Sequence, residues 1–522
     1  MGTPAETLYF RVSENSSHDL PDGNGLPSEW SLRKISSSRE RQVFYDTFEE
    51  QAFHKSLVVV RMKGTLYLTD LDTGIVQAET FIHGTPASFF PSALTDSKAK
   101  KMLEQCSDIR SFIRTGTIDV FVSSWRVLDE NKKTIAILNS ESLQDADRIN
   151  QGSFAKFFTI TPLKGYHREL SQMLKALPEQ VDSYRIVGFR ERFLMIMKEA
   201  GPASRGYSSK LHMQLDGEAT IHENIRRLLL FTTSILQLNE HGIRKNIDSE
   251  FLHDFRVAVR RTRSILRLLN GVFDPHQTAW FLSGLRELGK RTNELRDCDV
   301  YLLRKEEYTK LLPPSLHDSL IPFFSDVDEA RRIRHKQFCR YLSSAEYVAF
   351  MEAWKDFIGH DQLPDQETAP KAALSTRYIA AGAIRKAWKK VIVHGRRIEV
   401  KADDLELHAL RIDCKKLRYL FEFFFSLFPS RSAGRLVRHL KELQENLGTF
   451  VDISVQLKFL QSRLESLQAG EGNIMEAAAI GGLIASLYRE KEMAREHFHE
   501  TFTGFDNEET GKLFDEIVTA LQ

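Results

Sequence analysis

From about Leu211 to the end of the chain, apolar residues recur at i, i+3, i+4 and i+7, clearest in Ile225–Leu238, Leu252–Leu269 and Leu407–Leu427. That is the period of helices burying one stripe. Breaks fall at Phe273-Asp-Pro275, Leu312-Pro-Pro314, Gly359–Pro370 and Phe428-Pro-Ser430, and Leu457–Leu467 continues the pattern up to a turn expected at Gly470-Glu-Gly472. Up to about Ala200 the period is different. Leu57–Asp70 reads as two β-rich runs around a Lys63-Gly64 turn, and Asp119–Leu138 as alternating strands around Asp129-Glu-Asn-Lys132. Helical stretches intervene at Ser97–Gln105 and Tyr166–Leu177. The pattern predicts a multi-domain chain: an antiparallel α+β domain over 1–200, a linker over 201–210 and an all-α region over 211–522. The all-α region is expected to be two related helical bundles sharing a boundary.

The relatedness is explicit. His253-Asp-Phe-Arg256-Val-Ala-Val-Arg260-Arg261-Thr-Arg263 returns 155 positions later as His408-Ala-Leu-Arg411-Ile-Asp-Cys-Lys415-Lys416-Leu-Arg418. The same offset aligns Leu285-Arg286-Glu287-Leu288 with Leu440-Lys441-Glu442-Leu443, and Asp297 with Asp452, without a gap. On a helical wheel Arg256, Arg260, Arg263 and Arg267 share a narrow sector beside His253. Leu252, Phe255, Val259 and Leu266 occupy the adjoining sector and should anchor the helix. The second copy repeats this, with Leu407, Leu410, Cys414, Leu417 and Phe421 as the anchor and Glu422 standing where Arg267 would be.

Like charges at i,i+4 each cost about 0.2–0.5 kcal/mol, so two helices keeping such stripes suggest an external anion that offsets the repulsion. Arginine offers paired donors to phosphate oxygens, and successive cations stand about 5 Å apart along a helix, a track suited to a chain of phosphates. The plain alternative is a solvated face, or cations neutralised by acids elsewhere. The shared acids Asp297 and Asp452 look more suited to holding a basic residue than a metal. Further cations at Arg331–Lys336, Arg385–Lys390, Arg396-Arg397 and Arg435–His439 include ordinary surface.

Composition adds limits. At 522 residues the chain exceeds one ordinary core. The formal net charge of +1 looks wrong for a polyanion binder, but screening confines fields to about 8–10 Å, so clustering outweighs totals. No apolar run is long enough for a membrane helix, and the polar start Met1-Gly-Thr-Pro-Ala-Glu6 is unlike a signal peptide. Four scattered cysteines fit free thiols in a reducing compartment, so a cytoplasmic location without membrane partners is expected. No cofactor is implied, and oligomeric state is left open.

The paired motif, with Arg296-Asp-Cys-Asp-Val300 after the first copy and Leu443-Gln-Glu-Asn-Leu-Gly448 after the second, resembles the CHAD domain (conserved histidine α-helical domain). The resemblance covers roughly Leu211 to the end. It implies two pseudo-symmetric four-helix bundles whose basic surface binds inorganic polyphosphate, and association with polyphosphate granules would fit. Carried over, the contacts would be His253, Arg256, Arg260, Arg263, His408, Arg411, Lys415 and Arg418, with Arg286, Lys290, Arg296, Arg438 and Lys441 as further candidates. The second copy departs from the first in reading Val451 where the first has Arg296.

CHAD domains often follow a CYTH domain of the triphosphate tunnel metalloenzyme class, and Tyr45-Asp46-Thr47 with Leu57–Lys63 is similar to that family's Tyr-Asp-Thr stretch and basic strand. The family's Glu-x-Glu-x-Lys signature survives here only as Glu6, and the late strand Phe158–Lys164 carries Thr159 and Thr161 where acids would stand. A hard divalent cation needs several oxygen ligands, so a degenerate, non-catalytic front domain is expected. Two alternatives remain. One is a triphosphatase or polyphosphatase using the front domain. The other is a nucleic-acid binder, disfavoured because the stripes carry almost no aromatic or amide side chains for bases.

Overall fold

The computed structural model describes residues 8–12, 29–146, 152–166, 184–202, 206–211, 213–398, 403–467 and 471–521. The chain divides into two compact units, Met1–Ser208 and Ser209–Gln522.

The first unit is one antiparallel sheet of β1 (Leu8–Val12), β2 (Ser31–Asp46), β3 (Leu57–Met62), β4 (Thr65–Asp70), β5 (Val76–Phe81), β6 (Ser88–Phe89), β7 (Phe112–Leu128), β8 (Thr134–Asp145), β9 (Ala155–Pro162) and β10 (Tyr184–Val187). Their spatial order is β10-β1-β9-β8-β7-β2-β3-β4-β5, with β6 also on β7. Both expected turns are present. Lys63 and Gly64 hold φ of 48° and 93°, the paired left-handed conformation that lets a two-residue turn match the strand twist. At the other, Asp129 closes the loop by accepting from Lys133 N at 2.8 Å. The expected helix at Ser97–Gln105 spans Ser97–Cys106, capped by Asp96 accepting from Ala99 N. The one expected at Tyr166–Leu177 lies, beyond Tyr166, outside the described residues.

The second unit is helical. Among its described elements are α4 (Ile221–Lys245), α5 (Ser249–Leu268), α6 (Pro275–Arg291), α7 (Asn293–Leu303), α8 (Lys305–Lys310), α9 (Ile321–Leu342), α10 (Ala345–Gly359), α11 (Thr376–Gly395), α12 (Asp404–Phe424), α13 (Ser430–Ser466), α14 (Glu471–Glu496), α15 (Phe498–Phe505) and α16 (Glu508–Ala520); α1–α3 (Gln51–His54, Ser97–Cys106, Phe189–Ala200) belong to the sheet unit. The Pro-marked breaks fall where the sequence puts them: Asp274 caps α6 and Pro275 opens it. One break is corrected. Glu471 and Gly472 already belong to α14, because a glycine in a first turn is tolerated when the following helix packs well.

The two halves do not bury separate cores throughout. Tyr301, Tyr308 and Phe323 of the first half pack with Leu457, Leu460, Ile480 and Leu483 of the second in one cluster. Equivalent segments also differ in form. The first is broken at Thr292 into α6 and α7, whereas the second runs unbroken as the 37-residue α13.

Candidate functional site

Each basic helix is fixed by its apolar neighbours. In α5, Leu252, Phe255, Val259 and Leu266 are at most 4% exposed; in α12, Leu407, Leu410, Cys414, Leu417 and Phe421 are all buried. Asp248 caps α5 by accepting from Glu250 N (3.0 Å) and Phe251 N (3.3 Å). Anchored in this way, α5 and α12 pack against each other.

Their basic faces meet. Arg260, Arg263 and Arg267 of α5 and Lys415 and Lys416 of α12 line one groove of about 300 Å3, together with Ser264, Leu268, Ile412 and Tyr419. No carboxylate lines it, although Lys416 Nζ turns to the buried Asp413, donating to Oδ1 at 3.1 Å. Lys415 also reaches a second cleft, about 450 Å3, in which Arg304, Arg411 and Arg418 face Glu445, Asp452 and Glu490. Lys415 therefore stands on the wall between a purely cationic groove and a nearly balanced cleft.

The tie across the helices is the residue that breaks the repeat. Glu422 accepts from Arg418 Nε at 2.7 Å through one oxygen, and from Arg261 Nε and Nη2 at 3.4 and 3.3 Å through the other. An arginine at this position, as Arg267 is in the first copy, would add repulsion where α5 and α12 need attraction.

The thirteen sequence candidates are placed unequally. Arg260, Arg263 and Lys415 have no ion-pair partner among the described residues and line the groove. Arg286 comes near Arg263 and, with burial and Arg267, lowers its pKa. Arg256 is turned to the broken segment: Nη1 donates to Gly289 O (3.2 Å) and Thr292 Oγ1, and Nη2 to Asn293 Oδ1 (3.0 Å). Burial, then Arg260, push its pKa down to about 10. Its counterpart Arg411 instead donates to Asp452 Oδ1 at 2.9 Å. Gly448 stands there where the first copy has Asn293, and α13 has no break to clamp. Arg296 is drawn to the α5 start, donating to Ser249 O and Glu250 Oε1. Lys441 pairs with Glu445 at 3.3 Å. Lys290, Arg438 and His408 are exposed, whereas His253 is half-buried and engaged with the surrounding protein.

Several other cations are ordinary ion pairs: Arg331 with Asp299, Arg334 with Glu294, Arg396 with Asp506 and Arg435 with Glu509. The candidate set omitted Arg267, Lys416, Tyr419 and Arg304. Arg267 was visible as a stripe position and Lys416 as part of the repeated motif; nothing local marks the others, which only the packing of α12 against α5 and α13 brings in.

Lys415 shows the electrostatic cost of the arrangement. Burial first, then Arg411 and Arg260, with Arg418 adding to them and Asp452 opposing, hold its ammonium at about 8. In the first unit, by contrast, the Tyr-Asp-Thr stretch is structural. The buried Asp46 carboxylate accepts from Thr47, Ala52 and Phe53 N at 2.7–2.9 Å, and burial pushes its pKa to about 7. Thr159 accepts from Asn139 Nδ2 at 3.2 Å. Among the described residues no three His, Cys, Asp or Glu side chains group to hold a metal ion, and Glu6 lies outside those residues. No described helix is long and apolar enough to cross a membrane.

A helical unit in which two basic helices pack together along a cation-lined groove defines the class: an all-α scaffold. Its family follows from comparison. Residues 228–461 match the model of the CHAD domain, so the helical unit carries a CHAD domain. Two uncharacterized proteins of Mycobacterium tuberculosis, from strains CDC 1551 and H37Rv, are 26% identical over 297 residues, 54% of this chain. The match spans 55% of their length. The CHAD domain from the plant Ricinus communis is similar at 23% identity, covering 57% of this chain and 96% of that one, with a TM-score of 0.48. PptA from Streptomyces chartreusis is similar at 15% identity, covering 55% and 99%, with a TM-score of 0.43.

Proposed function

We propose that the helical unit binds inorganic polyphosphate, non-catalytically, in the groove between α5 and α12. The observation that carries this is a groove lined by five cationic side chains and no carboxylate, in a chain with a net charge of only +1. Repulsion among these cations is retained in the ligand-free fold, and a run of phosphates relieves it. The family's link to polyphosphate points the same way. Arg260, Arg263, Arg267 and Lys415 are the central contacts. Arg286 extends the track, and Arg411 and Arg418 become available when phosphate displaces Asp452 and Glu422. Arg256 and Arg296 act by holding the first copy's helices in place.

In this reading the helical unit is two copies of one four-helix arrangement, and the sheet unit is a CYTH-like domain without turnover. Support for the latter is its antiparallel sheet and the structural use of Asp46 and Thr159. Phosphate release from tripolyphosphate with Mg2+ or Mn2+ tests it, and turnover would overturn it.

The deciding experiment is a titration with long-chain polyphosphate at several salt concentrations. Arg260→Glu with Arg263→Glu should abolish binding, while Arg435→Ala, remote from the groove in sequence role and paired to Glu509, should not change it. Equal binding by the double variant, or preferential binding of single-stranded RNA under competition, would overturn the proposal. Tyr419 is the lone aromatic lining the groove, too few for base stacking along a strand.

A further inference from the structure

A second cavity of the helical unit has the opposite chemistry to the groove. It encloses about 810 Å3 between the start of α4, the start of α6 and the end of α10 with the loop that follows. Phe273, Phe281 and Phe357 form its base, with ring centroids 5.1 Å apart for Phe273–Phe357 and 4.6 Å for Phe281–Phe357. Trp280 stands at its edge, 55% exposed and edge-on to Phe281 at 4.7 Å. An indole left half in water beside an aromatic base is a stacking surface without an occupant. The buried Trp354 differs, donating its indole N–H to Thr233 Oγ1 at 2.8 Å.

The polar lining includes His222, His276, His360 and two carboxylates. No lysine or arginine lines the cavity, while Asp274 and Asp356 do. His222 is 4% exposed, packs against Phe273 at 5.2 Å and lines the cavity, yet among the described residues its ring nitrogens have no hydrogen-bond partner. Burial and Arg226 lower its pKa, so the ring is neutral and offers one donor and one acceptor. Arg226 itself donates to the Gly359 carbonyl at 3.1 Å. With its ring facing the cavity and no protein partner among the described residues, the His222 imidazole is free to bond an occupant. Gln277 and Gln362, also in the lining, carry amides of the kind that pair with the edge of a nitrogen heterocycle.

We propose that this cavity binds a planar nitrogen heterocycle without phosphate, a nucleobase or nucleoside, stacked on Trp280 and hydrogen-bonded to His222. The volume lies within the range of small-molecule sites, and two carboxylates with no lysine or arginine in the lining favour an uncharged nucleoside over a nucleotide. The site is independent of the polyphosphate groove and of its reading.

The test is calorimetric titration of the full chain with adenosine, guanosine, cytidine and uridine, with AMP as the charged counterpart. At least one nucleoside should bind in the micromolar range and quench tryptophan emission, with AMP at least tenfold weaker. Trp280→Ala, at a position 55% exposed, should weaken binding at least tenfold, and His222→Phe should do the same while helicity and long-chain polyphosphate binding stay unchanged. No binding by any of the four at millimolar concentration, equal binding of AMP, or binding indifferent to Trp280→Ala would overturn the proposal.

Discussion

Replacing Lys415 by methionine separates the stability of the helical unit from its proposed ligand binding. The ammonium is held at about 8 by burial and by Arg411, Arg260 and Arg418, against about 10.4 for an ordinary lysine. Keeping it charged at neutral pH therefore costs up to about 3 kcal/mol, at roughly 1.4 kcal/mol per tenfold change. Water in the two clefts screens part of this, leaving about 1–3 kcal/mol. Methionine keeps the length and helix preference of lysine without the charge. For a unit of this size 1 kcal/mol moves the midpoint by about 2 °C, so Lys415→Met should raise the ligand-free Tm by about 2–6 °C. It should also weaken polyphosphate binding and lower the slope of log affinity against log salt by about one. The sign with pH is fixed. A lysine with a depressed folded pKa imposes its full penalty below about 8, and the penalty lifts as pH rises from about 8 toward the unfolded value. The Tm gap between variant and native protein should then shrink between pH 7 and 9.5, measured by thermal denaturation with and without polyphosphate. A variant that melts lower than the native protein while binding polyphosphate equally well would refute the reasoning.

Two further perturbations probe the supports of the groove. Glu422→Gln removes the carboxylate that Arg261 and Arg418 share; it should lower stability by about 1–2 kcal/mol and tighten polyphosphate binding, both read from paired melting and titration curves, and weaker binding would contradict the assigned role. Arg256→Ala removes the clamp on Gly289, Thr292 and Asn293; it should cost about 1–3 kcal/mol in urea denaturation, and Arg256→Lys should recover little because the paired donors are lost.

Much of this was legible in sequence because it is periodic. The helical period from about Leu211 onward, the strand alternation around Lys63-Gly64 and the 155-residue repeat all follow from local spacing, and spacing decides which residues share a face. Partnership is a different matter. Equivalent arginines at 256 and 411 carry the same motif, yet one clamps a helix break and the other meets Asp452, because Asn293 and Gly448 differ across the repeat. Glu422 read as a shortened stripe and is instead the bridge between α5 and α12.

By itself, then, the order of residues determined that two basic helical faces exist, which apolar seams bury beside them, and that a sheet-rich region precedes them. Only the tertiary structure decided that those faces meet, that Lys415 is pressed among like charges and that Asp46 serves a helix start. The physical reason is range. Periodicity is written within a few turns of chain, whereas electrostatic cost and hydrogen-bond partnership depend on side chains such as Arg261 and Glu422, 161 residues apart in sequence and within hydrogen-bond reach in space.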